Sequence, residues 1–186
     1  MTSGSTGPPP SPRQVELLEA AYRYALEHGL TDLSLRPLAA ATGTSPRVLL
    51  FLFGSKDGLV RALLARARAD ELIAVDRIRR QRGNARQATE AIWSWLVAPE
   101  HRAVLTLWCE CYARSLVDPD GAWAGFADGT VRDWLDVLDD VHGGDAIDRT
   151  LLLAVLRGCL LDLLATGDAD RTTAAVHRHL QGSVLP

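Results

Sequence analysis

The chain has 186 residues, 47% of them hydrophobic and 23% charged, with a formal net charge of −3 at pH 7. This composition is that of an ordinary soluble protein with enough apolar residues to bury a core. The longest nearly apolar run, Leu151–Leu156, is far shorter than the ~20 residues of a membrane-spanning helix, which excludes such a segment. Residues 1–11 are rich in Ser, Gly and Pro without a basic or apolar stretch, which predicts a disordered arm and no signal peptide.

The charge is distributed unevenly along the chain. Residues 1–82 carry 12 Lys and Arg against 8 Asp and Glu, a balance of +4. Residues 83–186 carry 8 against 15, a balance of −7. A mildly basic N-terminal part beside an acidic remainder permits a polyanionic partner at the N-terminal end only.

No motif in the sequence indicates catalysis or a bound metal. Cys109 and Cys111, like His177 and His179, are two residues apart, so on a helix they point to different faces and are wrongly spaced for one ion. A Gly-rich phosphate loop, a nucleophile elbow and a paired-carboxylate motif are all missing. We expect no enzymatic activity, no metal and no cofactor. Three cysteines cannot all pair, which favours a reduced, cytoplasmic protein.

Three short helices are predicted before residue 55. Ser11 opens the first as a capping box with Gln14, and Gly29 ends it. Ser34 opens the second helix and Gly43 ends it. A tight turn of about three residues then leads into the third helix, and this arrangement is the helix-turn-helix pattern.

The third helix begins at the cap Ser45, with Pro46 in its first turn, and Gly54 ends it. Its centre is the apolar run Leu50-Phe51-Leu52. Either this run is an exposed apolar recognition surface, or the helix is rotated so that part of the run is buried. We expect at least one of the three side chains at the surface, where it would fit a partner.

The remainder of the chain continues in helical patterns without the period-2 alternation of strands, so we predict an all-α fold. A fourth helix starts at Ser55 and runs toward Arg82, because no breaker precedes Gly83. We place the domain boundary inside this helix. It separates an N-terminal head over 12–60, a helix-turn-helix domain of three helices, from a helical C-terminal domain over 61–186.

A glycine repeat leaves one part of the C-terminal domain open to two interpretations. Gly121, Gly125 and Gly129 fall four residues apart, within a segment that ends near Val141. Either these glycines allow a close packing contact, or the stretch is a loop before a helix that starts near Thr130.

The segment Asp145–Thr166 is apolar nearly all round, which predicts a helix buried on every side. In a chain of this size, such a helix suggests that a second subunit covers one of its faces. Asp168 or Asp170 caps the last helix. The predicted dimer interface lies on these two helices and consists of Leu152, Leu156, Leu160, Leu163, Val176 and Leu180.

Five tryptophans lie in the second half of the chain. Ligand pockets are rich in aromatic side chains with a few polar groups, so some of these rings could line a pocket, while core filling is the alternative for any single one. Arg157 and Asp162, the only charged residues inside the apolar helix after Leu151, are pocket groups, partners across an interface or edge positions. The candidate pocket residues are Trp95, Trp108, Cys109, Tyr112 and Trp134.

The motifs of the N-terminal head, over about residues 13–64, resemble in order and spacing the DNA-binding domain of the TetR family of transcriptional regulators. They are a first helix ending at Gly29, Leu35 with Leu38-Ala39, Gly43-Thr44-Ser45, and Phe53-Gly54-Ser55-Lys56 with Leu59. The resemblance implies a ligand-responsive repressor that binds a near-palindromic DNA operator as a homodimer. It also implies a small-molecule effector in the C-terminal domain that releases the DNA.

The same resemblance implies roles for single residues. Leu49 and Phe53 would lie in the core behind the third helix, and Lys56 would meet a phosphate. The positions that would face DNA are Thr44, Ser45, Pro46, Arg47, Val48, Phe51 and Lys56.

The third helix departs from the family pattern at its centre. Where the family commonly has Tyr, a polar or basic residue, and His or Tyr, this chain has Leu50, Phe51 and Leu52. Phosphate contacts supply much of the affinity in protein–DNA complexes, so this change predicts weaker binding unless other groups compensate. Phe51 could still contact a thymine methyl group. The alternative function is therefore a helical ligand-binding or protein-interaction dimer with weak or lost DNA binding.

Overall fold

The computed structural model describes residues 9–30, 32–79, 84–142 and 145–182, so the predicted arm over 1–11 lies mostly outside the described residues. The described residues form nine α-helices and no strand, which confirms the all-α prediction. A short 3-10 turn, Pro99–His101, precedes the sixth helix. The helices are α1 Pro12–His28, α2 Leu35–Ala41, α3 Pro46–Phe53, α4 Lys56–Arg79, α5 Ala85–Val97, α6 Arg102–Val117, α7 Phe126–His142, α8 Ala146–Thr166 and α9 Ala169–Gly182.

Short polar side chains fix several helix starts. The Ser11 hydroxyl accepts a hydrogen bond from the backbone N–H of Gln14 at 3.2 Å, and the Ser45 hydroxyl accepts one from Val48 at 3.3 Å. Each satisfies a backbone donor that has no partner within its own helix. Asp168, and not Asp170, caps α9, because its carboxylate accepts a backbone N–H in the first turn of that helix.

The two interpretations of the glycine repeat are each correct in part. The helix α7 begins at Phe126, four residues before Thr130, and the preceding turn uses Gly125 in the left-handed region at φ 73°. Gly129 lies within α7 against the guanidinium of Arg68, which a Cβ atom at this position would displace. The repeat therefore contains one turn glycine and one close-packing glycine.

Two apolar clusters hold the fold together. The first joins the N-terminal head and the start of α4 to α6 and α7, through residues such as Leu63, Cys111 and Trp123. The second fills the C-terminal domain between α5, α7, α8 and α9, around Trp93 and Val137. Because the first cluster includes side chains from both predicted domains, the N-terminal head packs directly against the C-terminal helices.

The structure corrects the predicted dimer interface. The side chains of Leu152, Leu156, Leu160, Leu163, Val176 and Leu180 all lie in the second cluster, inside a single chain. Nor is α8 buried on every side, since Ile147, Leu151 and Leu161 are 68%, 54% and 54% exposed. A helix that is apolar all round carries no sequence signal for its rotation, so the inward face could not be distinguished from the outward one.

The structure also shows whether any described helix could span a membrane. Over the ranges that the structure describes, no helix has both the length and the hydropathy that crossing a bilayer requires.

Candidate nucleic-acid interface and ligand pocket

The turn between α2 and α3 sets the direction of the third helix. Gly43 adopts φ 63°, a left-handed conformation that strongly favours glycine, and the Thr44 backbone N–H bonds back to the Ala39 carbonyl at 2.8 Å. Leu49 is buried from the middle of α3, and Phe53 packs against the same cluster. These contacts turn the opposite face of α3 toward solvent.

The outward face of α3 carries most of the predicted DNA-binding residues. Arg47, Val48 and Phe51 are exposed, with Phe51 85% exposed. Of the other candidates, Ser45 and Lys56 are exposed, while Thr44 and Pro46 are half-buried at the start of the helix. The structure therefore brings one arginine and two apolar side chains together on a short exposed helix.

The central apolar run of α3 divides between surface and interior. Leu50 is 38% exposed, Phe51 is almost fully exposed, and Leu52 is half-buried. The expectation that at least one of these side chains reaches the surface is met by Phe51. Together with the exposed Val48 and Leu50, this ring forms an apolar patch on α3, and such a patch is typical of a site where a partner binds.

The cations beside this surface are available to an anionic partner. Neither Arg47 nor Lys56 forms an ion pair with any other residue that the structure describes. Lys56 is the first residue of α4, after Ser55, whose hydroxyl accepts the backbone N–H of Gly58 at 2.9 Å. Arg13 is engaged instead with Glu16 on its own helix at 2.7 Å.

A contact between α1 and α3 also positions the outward face. The predicted capping box at Ser11 is wrong in its second half, because the Gln14 side chain does not return to Ser11. The Gln14 amide instead donates to the Leu52 carbonyl in the last turn of α3, at 3.0 Å. The sequence holds no signal for this bond, since the two residues are 38 positions apart.

A cavity of about 310 Å³ lies between the helices of the C-terminal domain. Its walls are mainly apolar and aromatic, with charged groups from α4 and α8 and a histidine from the 3-10 turn. The lining consists of Ala67, Asp70, Ile73, Trp95, Leu96, His101, Val104, Leu105, Trp108, Trp134, Leu153, Leu156, Arg157 and Leu160. Its volume and character fall within the range of small-molecule sites.

The predicted pocket residues divide between the lining and the layer behind it. Trp95, Trp108 and Trp134 lie in the cavity wall, whereas Cys109 and Tyr112 do not. Cys109 follows Trp108 by about a quarter of a helical turn and therefore leaves the face that lines the cavity. Tyr112 lies one turn further along α6, with its ring centroid 5.1 Å from that of Trp108.

Two polar side chains of the cavity, His101 and Arg157, lie against aromatic rings. His101 stacks on Trp95 with centroids 4.3 Å apart, and its Nδ1 donates to the Trp95 carbonyl at 2.8 Å. The guanidinium of Arg157 lies 5.5 Å from the Trp108 centroid and 5.3 Å from that of Tyr112. Arg157 is thus a pocket group.

Asp162 has a different place on α8. Its carboxylate accepts hydrogen bonds from Arg171 on α9, one of them at 2.9 Å, outside the cavity. This ion pair links the last two helices of one chain. Asp162 is therefore not a pocket group. It forms an ion pair at the surface, within one chain.

A charged cluster joins the cavity to α1. Arg66 Nε donates to Glu19 on α1 at 2.6 Å, and another nitrogen of the same guanidinium donates to Asp70, a lining residue of the cavity. The guanidinium carbon lies 4.7 Å from the centroid of Tyr22. Hydrogen bonding to Glu19, more than that to Asp70, raises the pKa of Arg66 above its usual range. Burial, and then the charge of Asp70, raise the pKa of Tyr22.

A second contact fixes the C-terminal end of α1. The backbone N–H of Leu30 donates to the Glu110 carboxylate on α6 at 2.8 Å. Gly29 has φ 77°, and a Cβ atom at this position would lie 2.8 Å from the same carboxylate. The end of α1 is therefore held close to α6. The residue that holds it, Glu110, is two positions from Trp108 in the cavity wall.

Comparison with known protein families identifies the N-terminal head. Residues 17–63 match the model of the family described as bacterial regulatory proteins, tetR family. No curated protein gives a significant match to the chain. The match confirms the resemblance of the N-terminal head to the TetR family.

Solved structures share the fold over nearly the whole chain. A TetR-family member from Streptomyces coelicolor is 22% identical, with a TM-score of 0.74 over 95% of this chain and 99% of that one. A transcriptional regulator from Rhodococcus sp. is 21% identical, with a TM-score of 0.75 over 93% and 99%. The multidrug binding protein EbrR, complexed with imidazole, is 23% identical, with a TM-score of 0.68 over 100% and 97%. The chain therefore has the fold of TetR-family transcriptional regulators.

Proposed function

We propose that this chain, whose N-terminal head matches the TetR family model over residues 17–63, is a ligand-responsive transcriptional repressor. It binds a near-palindromic DNA operator as a homodimer. A small molecule in the cavity of the C-terminal domain releases the DNA.

The observation that carries this proposal is the outward face of α3. The helix follows a tight turn, is anchored by Leu49 and by the Gln14 bond, and exposes Arg47, Val48 and Phe51 together. A short exposed helix of this kind fits the major groove, where Arg reads guanine edges and apolar side chains contact thymine methyl groups. Lys56, at the start of α4, is placed to meet a phosphate.

The cavity supports a small-molecule effector. Its tryptophans Trp95, Trp108 and Trp134 favour a flat apolar or aromatic compound, and Asp70 and Arg157 provide charge for its polar groups. EbrR, which shares this fold, has also been crystallised with proflavin, a planar aromatic molecule. We infer that the effector of this chain is an aromatic compound of similar size.

The exposed face of α8 supports the homodimer. Ile147, Leu151 and Leu161 lie on this face, with the exposed Ala154 and Gly158 between them. The spacing of four and three residues places all five on one side of the helix. Two copies of this face would bury the apolar side chains against each other around small residues that allow a close approach.

The test is a DNA-binding titration on the fragment that flanks the protein's own gene. We expect sequence-selective binding that weakens steeply between about 50 and about 200 mM salt, because phosphate contacts release counterions. Fluorescence anisotropy with a scrambled fragment of equal length gives the non-specific reference. Absence of any binding at the lowest salt concentration contradicts the proposed function.

A second candidate function is favoured by Phe51. A phenyl ring that is 85% exposed at the centre of the recognition helix replaces a polar contact and would suit a protein partner. The second function is a ligand-binding or protein-interaction dimer with weak or lost DNA binding. This second function is supported over the first if the chain shows no salt-dependent binding to any tested DNA duplex but still binds aromatic ligands.

A further inference from the structure

Resting on the proposed function, we propose that Arg66 connects the cavity to the N-terminal head by holding Asp70 and Glu19 at once. The effector that acts through this contact carries a positively charged group, which replaces Arg66 as the partner of Asp70. The loss of that partner loosens the contact of α4 with α1.

Arg66 is held from two helices. Its guanidinium donates to Glu19 on α1 at 2.6 Å and to Asp70 one turn further along α4, and it faces the ring of Tyr22 on α1. The Asp70 contact is within α4, so it does not link two helices itself. The Asp70 contact orients the guanidinium of Arg66, which pairs with Glu19. Asp70 is therefore a positioning residue for the contact between α4 and α1.

Asp70 belongs to the cavity as well as to this contact. It lines the cavity together with Ala67 and Ile73 from the same helix, and its side chain is 35% exposed. A ligand in the cavity thus reaches the carboxylate that orients Arg66. Since Asp70 is an anion already bonded to a cation, a competing cation can replace Arg66 and leave the carboxylate paired.

The other charged group of the cavity directs a cation toward Asp70. Arg157 on α8 lies over Trp108 and Tyr112, so its positive charge repels a ligand cation from those rings. Asp70, on α4, supplies the attracting charge. The aromatic body of the ligand can then contact the remaining tryptophans of the wall.

The mechanical consequence follows from the second contact of α1. The end of α1 is held at Leu30 by Glu110, whereas its middle is held by Glu19 through Arg66. Weakening the Arg66 contact removes a polar anchor from the middle of α1, whose apolar side stays packed in the first cluster, while the end of α1 stays fixed on α6. Because Gln14 on α1 also bonds the last turn of α3, movement of α1 reaches the recognition helix.

The first test uses the full chain without DNA and two matched probes. The probes are 1-naphthylmethylammonium, an aromatic cation at neutral pH, and 1-naphthoate, its anionic counterpart. By isothermal titration calorimetry we expect the cation to bind and Asp70→Asn to weaken it about tenfold or more. Asp57→Asn, an exposed carboxylate at the start of α4, is the control and binds as wild type. Failure of the cation to bind, or equal binding to Asp70→Asn, overturns the proposal.

The second test measures the contact itself by amide hydrogen exchange of α1. Saturating cation is expected to speed exchange around Glu19 and Tyr22 about fivefold, and Glu19→Gln to show the faster exchange without ligand. Glu16→Gln, which removes a neighbouring carboxylate paired with Arg13, serves as the control and responds as wild type. Unchanged exchange in wild type on saturation with the cation overturns the proposal.

The two tests separate this inference from the proposed function. If α1 responds to the cation but no DNA fragment binds, the proposed function fails while the Arg66 contact stands. If an operator is bound and α1 does not respond, the Arg66 contact alone is overturned. In the intact regulator, Glu19→Gln should reduce the effect of the cation on operator affinity about tenfold while cation affinity stays within about threefold of wild type.

Discussion

The side-chain amide of Gln14, in the first turn of α1, donates a hydrogen bond of 3.0 Å to the backbone carbonyl of Leu52, in the last turn of α3. The last carbonyls of a helix have no partner within the helix, so this bond satisfies one of them from outside. It also ties the last turn of α3 to the first turn of α1.

Gln14→Ala removes that bond. We expect the free energy of unfolding to fall by about 1 kcal/mol, since the exposed carbonyl can recover a bond to water. Operator affinity should fall about fivefold, because the orientation of α3 is less well defined. Gln181→Ala, at an exposed position near the end of α9, is the control. Equal operator affinity of Gln14→Ala and wild type would show that the bond plays no part in DNA binding.

Arg47→Ala tests the outward face of α3. A base or phosphate contact from this side chain predicts a loss of about 1–3 kcal/mol in operator binding, with the dimer intact. If the contact is to a phosphate, the slope of log affinity against log salt also falls by about one. Arg132→Ala, on α7 and paired with Asp128 of the same helix, is the matched control, measured by anisotropy. Unchanged affinity would remove Arg47 from the DNA-binding face.

The proposed dimer face on α8 predicts opposite outcomes for two leucines of this helix. Leu161 is 54% exposed and Leu156 is 2% exposed. Leu161→Glu should convert the dimer to a folded monomer, because it places a charge on the outward apolar face. Leu156→Asp should instead lower the free energy of unfolding by about 3 kcal/mol or more, since it buries an unpaired carboxyl group.

Light scattering and chemical unfolding distinguish these outcomes. A monomeric wild-type chain, or a Leu161→Glu variant that stays dimeric, would contradict the assignment of this face.

The thiols of α6 predict a pH dependence. Burial raises the pKa of Cys109 to about 11 and that of Cys111 to about 12, against about 8.5 for a free thiol. At about pH 8 we therefore expect both to react with a thiol reagent far more slowly in the native chain than in denaturant. Rapid native reaction of Cys111 would contradict its burial.

The same shifts act on stability. A thiol whose folded pKa is raised favours the folded state fully below the ordinary pKa of about 8.5. This contribution is lost as the pH rises toward about 11 to about 12, because only the unfolded state ionises easily. The free energy of unfolding should fall over this range, and Cys111→Ala should reduce the fall. An equal fall in Cys111→Ala would assign it to other groups.

Local features of the chain were readable from the sequence. Ser11 and Ser45 cap helices as predicted, because a cap and the N–H that it satisfies lie three residues apart. The tryptophans of the cavity were also accessible to prediction through their abundance. Their neighbours were not, since Cys109 and Tyr112 leave the cavity face by the rotation of α6 alone.

Contacts between distant residues needed the tertiary structure. Glu19 and Arg66 are 47 residues apart, and Leu30 and Glu110 are 80 apart. Each of these four is a common charged or apolar residue, and nothing in the sequence marks it as the partner of another. Only the packing of α1 against α4 and α6 shows which of them meet.

By itself, the sequence determined the all-α class, the helix-turn-helix motif and the resemblance of the N-terminal head to the TetR family, because helical periodicity, caps and turn glycines act over a few residues. The tertiary structure alone decided the rotation of α8, which puts Leu156 in the core and Leu161 on the surface. It also decided that Asp70 faces the cavity and pairs with Arg66 at the same time. The physical reason is that a helix apolar all round, or a lone charge, acquires a direction only from the helices packed against it.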